Sequence, residues 1–208
     1  MAAPSPWPTI HAERTALADD LADLPDDRWS TPSLCSGWTV HEVLGHMVAT
    51  AKMTPPLFLA KMASSGFRFS AMANKAVARE TAGSPQDTLA ELRRVAPSTS
   101  APPGPVNSWL GETIVHGEDI RRPLGLGHQY PVDALVRVAD FYKGSNALIG
   151  SKKRIDGVTL RATDAEWSHG DGPEVSGPML SLLLAMTGRR AGLTDLTGAG
   201  VTTLRDRT

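Results

Sequence analysis

The sequence predicts a mainly α-helical fold, in which a four-helix bundle over residues 1–150 precedes a small α+β domain over residues 151–208. Three observations lead to this prediction. Apolar residues recur at helical spacing along the first part of the chain. Alternation of apolar and polar residues, which is typical of half-buried strands, begins after residue 150. The length of 208 residues allows a medium domain with a small companion.

The first predicted helix spans about residues 9 to 24. Ile10, Leu17, Leu21 and Leu24 recur at spacings of seven, four and three residues, which places them on one face of a helix. An apolar face of this kind needs a partner surface, and the following helices are expected to supply it.

The second predicted helix begins at about Val40. Thr39 and Glu42 form the pattern of a capping box, in which each side chain bonds the backbone N–H of the other residue. The helix should end before Pro55, because the residue that precedes a proline is pushed out of the helical region. Its inward-facing residues are Val43, Leu44, Met47, Val48 and Ala51.

Start signals predict further helices and one long loop. Ser84 and Pro85 combine a cap with a proline in the first turn. Residues 97–105 contain four prolines and predict a surface loop. After that loop, Pro105 or Val106 begins a helix that Pro123 and Gly125 should end. Other helical pieces are expected after Thr54, within residues 63–83 and after Pro131. Together these helices favour a bundle.

The C-terminal segment has a different pattern. Residues 158–163 alternate apolar with polar side chains and predict a strand, and residues 174–175 can return as a second strand after a turn at 169–172. A strongly apolar helix is expected over residues 179–187. The glycine- and threonine-rich end of the chain predicts a short strand or helix.

Composition excludes several classes of protein. The chain has 21 Lys and Arg against 22 Asp and Glu, so its net charge is -1, and no nucleic-acid partner is expected. The longest nearly apolar run covers only residues 179–186, whereas a membrane span needs about 20 residues. No membrane partner is therefore expected. Residues 1–8 have neither the basic nor the apolar region of a secretory leader, which predicts a cytoplasmic protein.

Cys35 is the only cysteine. It cannot form a disulfide within the chain, and a zinc site built from several thiolates is excluded. The residue is expected to be a small buried side chain before the second helix, because the sequence shows no neighbouring base that would lower its pKa. Any metal site would depend on histidines and carboxylates.

Three polar residues share one face of the helix that begins at Val106. Glu112 and His116 are four residues apart, and Asp119 follows three residues later. A solvated polar stripe with an ion pair along the helix explains this pattern without a ligand. The alternative is a binding site, because polar side chains that face a bundle are costly unless something binds them.

A metal site would need a further ligand from another helix. His41, Glu42 and His46 superficially resemble a zinc-protease motif, but the two histidines are five residues apart and point in different directions on a helix. His46 lies well inside the second helix, where it can either face a cavity of the bundle or be an ordinary packed residue. The four histidines considered are His11, His41, His46 and His128.

These residues resemble the mycothiol-dependent maleylpyruvate isomerase family, which belongs to the DinB-like metal-binding four-helix superfamily. The matching motifs are residues 32–40 with Gly-Trp-Thr, His46 eight residues after the tryptophan, and Gly-Glu-x-x-x-His-x-x-Asp at 111–119. Residues 157–164 and 175–189 resemble the small second domain of the family. The segment 64–96 carries no matching motif.

The resemblance implies a divalent metal, zinc first, held by His46, Glu112 and His116, with water in the remaining positions. Two imidazoles and a carboxylate are the ligand set of open catalytic zinc sites. Asp119 would orient His116 or face the opening. Mycothiol is the implied cofactor, and its metal-bound thiolate would attack a small electrophilic substrate.

Two other residues are weighed as contributors to a ligand site. Arg189 resembles an arginine of the family's second domain that could hold an anionic group, and it also fits a cation at the end of a helix. Trp109 lies three residues before Glu112 and either lines the pocket or belongs to the core.

The expected function is thus a thiol transferase or isomerase that uses a metal-activated mycothiol. Two other interpretations stay open: a metal-dependent hydrolase with the same three ligands, and a non-catalytic metal-binding protein. The sequence leaves the oligomeric state open, a homodimer being one option.

Overall fold

The computed structural model describes residues 4–146 and 149–208; the first three residues of the segment inspected for a leader lie outside this range. The α-helices are α1 (Trp7–Asp20), α2 (Val40–Ala51), α3 (Pro55–Ser64), α4 (Phe69–Glu80), α5 (Pro85–Val95), α6 (Val106–Leu124), α7 (Val132–Tyr142), α8 (Ser151–Arg154), α9 (Met179–Met186) and α10 (Val201–Arg205). The strands are β1 (Thr159–Ala162), β2 (Ser168–His169) and β3 (Glu174–Gly177). Short 3-10 helices cover Asp26–Ser30 and Arg190–Asp195.

The predicted fold class is confirmed, since the chain is mostly helical with one small sheet near its C-terminus. The chain divides into two compact units, residues 1–128 and 129–208. This division falls before the boundary at residue 150 that composition suggested, because α7 packs against α9 and belongs to the second unit. Among the described residues, no helix has the length and apolar character that a membrane crossing requires.

The first unit is built around α2. This helix packs against α4, α5 and α6, and α1 packs against α5 and α6. Burial of apolar side chains between these helices is the main source of stability for such a bundle. The buried core residues include Leu17, Leu21, Val43, Leu44, Met47, Val48, Leu89, Leu92 and Ile120.

The start of α2 is as the sequence predicts. Thr39 Oγ1 accepts from the Glu42 backbone N–H, and Glu42 Oε2 accepts from the Thr39 N–H at 2.8 Å, so the capping box is complete. The backbone N–H of Val40 donates to the Thr31 carbonyl. The chain therefore enters α2 in one fixed direction, which sets the rotation of the helix.

Helix α6 ends at Gly125, the second of the two residues that were predicted to end it. The helix continues through Pro123 to Leu124, and Gly125 caps it in the left-handed conformation with φ 72°. Pro123 has no N–H, so it cannot bond the carbonyl of Asp119 four residues earlier. That carbonyl instead accepts a hydrogen bond from the Leu34 N–H at 3.2 Å. The proline thereby allows the loop before α2 to bind the side of α6.

The second unit contains a three-stranded sheet in the order β2-β1-β3. The strand predicted at 158–163 is confirmed as β1, and β3 lies parallel to it, with Leu160 opposite Val175. The prediction of a turn at 169–172 missed β2, which pairs antiparallel with β1. A two-residue strand is too short to show alternation in the sequence. Helix α9 is almost entirely buried and packs on β1, β3 and α7.

Candidate metal centre

Helices α2 and α6 bring three side chains together. His46 comes from α2, and Glu112 and His116 come from α6; one ligand atom of each residue lies within 4.8 Å of the others. His46 Nε2 is 3.8 Å from Glu112 Oε1, and the rings of His46 and His116 meet edge to face with centroids 4.9 Å apart. The three residues that the sequence singled out therefore form one cluster in the structure.

Glu112 is the most informative member of the cluster. Both of its carboxylate oxygens are buried, and neither has a hydrogen-bond partner among the described residues. Burial raises the pKa of Glu112, while His116, Arg14 and the nearby hydroxyl groups of Thr50 and Thr113 act in the opposite direction. A buried carboxylate without partners is costly, and a bound cation is the simplest way to compensate it.

His46 is held as a neutral ligand. Burial lowers its pKa to about 3, with a further contribution from His116 and an opposing one from Asp119. A neutral imidazole offers a lone pair, which is the form that binds a metal ion. The Trp38 ring lies 5.0 Å from the His46 ring, between centroids, and covers one side of it. Trp38 was not singled out as a site residue, although it belongs to the Gly-Trp-Thr motif.

Asp119 fixes the orientation of His116. Its side chain is fully buried, and its Oδ2 lies 2.8 Å from His116 Nδ1. In this pair Nδ1–H donates to the carboxylate, which leaves Nε2 as the ring nitrogen with a free lone pair. A carboxylate behind a ligating histidine is the usual arrangement in metal sites, because it holds the ring and raises its basicity.

Cys35 lies closer to this cluster than the sequence indicated. Its Sγ, a His116 nitrogen and an Asp119 oxygen lie within 4.8 Å of one another. The expectation that no base lies near this thiol was therefore wrong. The contact arises because the Leu34 N–H binds the Asp119 carbonyl on α6.

Arg14 is a residue that sequence reasoning missed. It is only 1% exposed, and its Nη1 donates to the Ser98 carbonyl at 3.0 Å. Its Nε and Nη2 are buried without hydrogen-bond partners among the described residues. Burial lowers the pKa of Arg14, and the negative charge of Glu112 raises it. A signal was present, because Arg14 lies between Ile10 and Leu17 on the apolar face of α1.

The remaining candidate residues lie elsewhere. The Trp109 ring packs against the loop before α6, where a Cβ on Gly104 would be 3.3 Å from Trp109 Cζ2. Arg189, in the second unit, donates to the Thr187 carbonyl at the end of α9, as expected of a cation at a helix C-terminus. Histidines 11, 41 and 128 bond Ser98, Thr88 and Glu13, respectively.

The donor set fits a divalent metal ion. Two neutral imidazoles and one carboxylate, on two packed helices, are the ligands of open catalytic zinc sites, where the fourth position is left for water or substrate. The side chains of His46, Glu112 and His116 are 18%, 11% and 14% exposed, so the cluster is shielded but not sealed. A ligand from solvent can therefore reach it.

A helical bundle with two histidines and a glutamate between packed helices defines a class of proteins with a candidate mononuclear metal centre. The profile of the mycothiol maleylpyruvate isomerase N-terminal domain matches residues 10–121, which include all three ligand positions. The chain belongs to this family, as its motifs predicted.

Two solved structures and two curated proteins are also similar to the chain. Two crystal structures of the mycothiol-dependent maleylpyruvate isomerase, one of them a point mutant, have the same fold, with TM-scores of 0.57 and 0.62. They are 14% and 15% identical and cover 93% of this chain and 91% of theirs. Two uncharacterised proteins from strains of Mycobacterium tuberculosis are 29% identical over 158 residues, covering 61% of this chain and 59% of their own length. The chain thus spans about three fifths of these relatives.

Proposed function

We propose that the protein is a metal-dependent thiol transferase or isomerase that uses mycothiol to act on a small electrophilic substrate. The observation that carries this proposal is the buried carboxylate of Glu112, whose oxygens have no hydrogen-bond partner among the described residues, beside the imidazoles of His46 and His116. Family membership supports mycothiol as the thiol. A cytoplasmic location, where low-molecular-weight thiols are kept reduced, goes with this proposal.

His46, Glu112 and His116 would hold a divalent metal, with zinc the first choice for this ligand set. A bound zinc ion supplies a Lewis acid that lowers the pKa of a thiol and so provides a thiolate nucleophile at neutral pH. The reacting sulfur would come from mycothiol rather than from the chain's single cysteine.

The protein's own residues prepare the site. Asp119 holds His116 in one tautomer, so that no reorientation is needed when a ligand binds. Trp38 shields His46 from water, which keeps the imidazole neutral. Arg14 is buried and balances part of the negative charge of Glu112.

Two further roles are part of the proposal. Arg189 would pair with an anionic group of the substrate or of mycothiol, in addition to its bond to the Thr187 carbonyl. Trp109 would line the approach to Glu112 from the start of α6. Both roles are assigned from the family resemblance and the sequence position.

Thermal unfolding with and without mycothiol tests the function. We expect mycothiol at a hundred times its dissociation constant to stabilise the zinc-loaded protein by about 2.7 kcal/mol. The effect should disappear after chelation and in His116→Ala, and it should persist in His41→Ala, a matched control on α2. Stabilisation that is independent of metal contradicts the proposal. Metal binding without any effect of mycothiol favours a hydrolase that activates water.

A further inference from the structure

The segment that carries α3 and α4 exposes unusually large apolar side chains. Of the five exposed large hydrophobic residues among those described, four lie here: Leu57, Leu59, Phe67 and Phe69. Leu59 is 64% exposed and Phe67 is 76% exposed. Single exposed apolar residues are ordinary, but a cluster of them indicates a binding surface.

The local structure presents these side chains outward. Helix α3 has no buried residue at all, so burial against the protein does not explain its apolar composition. Phe67 is in the left-handed backbone conformation, with φ 58°, and it is the only non-glycine residue described with a positive φ. For a bulky residue this conformation costs about 1–2 kcal/mol. A strained and exposed phenylalanine is better explained by a ligand surface than by stability.

The same segment is strongly basic. Residues 53–79 contain Lys61, Arg68, Lys75 and Arg79 but no Asp or Glu. None of these four cations has an ion-pair partner within the described parts of the chain. By contrast, Lys52, immediately before the segment, pairs with both Glu80 and Glu91. The balanced charge of the whole chain, from which no membrane partner is expected, conceals this local excess.

Three of the cations surround a groove between α3 and α4. Lys61, Lys75 and Arg79 line a cavity of about 180 Å³, together with the hydroxyl-bearing Ser64 and Ser65. Ammonium, guanidinium and hydroxyl groups around one hollow are the donors that bind a phosphate group.

We propose that this α3–α4 surface, formed by the four exposed apolar residues and the four unpaired cations, docks on an anionic phospholipid bilayer. The phosphate of a lipid headgroup would occupy the groove, and the leucine and phenylalanine side chains would insert at the boundary of the acyl chains. The docking is peripheral and requires no membrane-spanning helix.

The charge of the α3–α4 surface favours an anionic bilayer over the two other possible binding partners, a second copy of the chain and an acidic protein. A second copy of the chain, related by a two-fold axis, would place four cations against four cations, which opposes association. An acidic protein would satisfy the charges but would not need side chains that protrude as far as Leu59 and Phe67. An anionic lipid surface satisfies both the charges and the apolar residues.

Co-sedimentation of the full chain with vesicles tests the proposal. We expect partition onto vesicles that contain phosphatidylglycerol to be at least about tenfold stronger than onto pure phosphatidylcholine, since each cation near an anionic surface contributes about a fivefold effect. The binding should weaken as salt increases. Light scattering without vesicles should show no association through this surface.

Two variants test separately the apolar side chains and the cations of the α3–α4 surface. L59S combined with F67S removes the apolar part, and K61Q combined with K75Q and R79Q removes the charges around the groove. Each is expected to lose at least about tenfold in partition. Matched controls are V132S, an exposed apolar residue elsewhere, and K152Q with K153Q and R205Q. The melting temperatures of both test variants should stay close to that of the wild type, because all five of their substituted side chains are exposed or half-buried and lie outside the core.

Three results would overturn the proposal: no partition at millimolar anionic lipid, equal partition onto neutral vesicles, or losses no larger than those of the controls. In the first case an acidic protein surface becomes the better occupant. The metal centre is not involved in this binding, so its failure leaves the proposed function untouched.

Discussion

Arg14 and Glu112 are two buried, oppositely charged side chains without a direct hydrogen bond between them. Arg14 leaves two guanidinium nitrogens without partners, and Glu112 leaves both carboxylate oxygens without partners. The Ser98 carbonyl holds Arg14 in place at 3.0 Å. In the absence of a metal ion, the charge of Glu112 raises the pKa of Arg14 against the effect of burial, and Arg14, after His116, lowers the pKa of Glu112.

This pairing predicts coupling between the two residues in metal-free protein. We expect Arg14→Met to lower the free energy of unfolding by about 3 kcal/mol, because it leaves the Glu112 charge uncompensated. In a Glu112→Gln background, Arg14→Met should lower the free energy of unfolding by at least about 1 kcal/mol less than it does in the wild type. Urea unfolding of the four proteins of the cycle measures this difference. Strictly additive effects would show that the two charges are independent.

The hydrogen bond between His116 and Asp119 predicts that substitution of Asp119 changes the affinity for the metal ion, not which metal ion is bound. We expect Asp119→Asn to weaken zinc binding about 10- to 100-fold, because an amide no longer holds the His116 ring as a carboxylate does. Competition with a chromophoric chelator measures the affinity. Glu118→Gln, at the neighbouring position of α6, is the control and should bind zinc normally. An unchanged affinity in Asp119→Asn would remove this residue from the site.

The three metal ligands could be predicted from the sequence, whereas Arg14 and the position of Cys35 could not. The spacing of Glu112 and His116 on one helix is a local property, and a motif marked His46. The proximity of Cys35 to His116 depends on a hydrogen bond from Leu34 to a carbonyl that Pro123 leaves free. Contacts of that kind depend on tertiary structure, which no local pattern contains.

Helix α2 packs against α4, α5 and α6, and an ionic network lies at its C-terminal end. Lys52 pairs with Glu80 on α4 and with Glu91 on α5, and Arg94 pairs with Glu91 as well. The network joins three helices of the first unit. It therefore restrains the helix that carries His46 without involving the cluster itself.

The ionic network predicts that the stability of the fold decreases at acidic pH. The Arg94 hydrogen bond, with help from Lys52, lowers the pKa of Glu91 from 4.5 to about 2. A carboxylate with a lowered pKa contributes stability above its unfolded pKa and loses it as the pH falls toward 2. We expect Glu91→Gln to cost about 1 kcal/mol at neutral pH and to reduce the loss of stability between pH 4.5 and 2. Glu166→Gln, at an exposed position, is the control; an equal acid response in both variants would contradict the prediction.

Helices could be predicted better than strands. Caps and prolines placed the starts of α2, α5 and α6 correctly, because these signals act within one turn of the helix. The parallel pairing of β3 with β1 was not visible, since it depends on residues that are distant in sequence. Of the two residues predicted to end α6, Gly125 caps the helix, whereas Pro123 lies inside its last turn, because a proline there removes a single hydrogen bond that another residue replaces.

The two compact units divide the candidate roles. Residues 1–128 contain His46, Glu112, His116 and Asp119, whereas Arg189 belongs to residues 129–208. The three candidate metal ligands and Asp119 therefore all lie in the first unit. The division was expected from composition, but its position depends on the packing of α7 with α9, which composition does not encode.

Titration of the cobalt-substituted full-length protein with mycothiol tests most directly whether the cluster of His46, Glu112 and His116 activates an exogenous thiol. We expect about one cobalt ion per chain, and a sulfur-to-cobalt charge-transfer band in the near ultraviolet that saturates at one equivalent of mycothiol. The band should be absent in His116→Ala and present in His41→Ala. A protein that holds cobalt at these residues but shows no such band at saturating mycothiol would contradict the proposed chemistry.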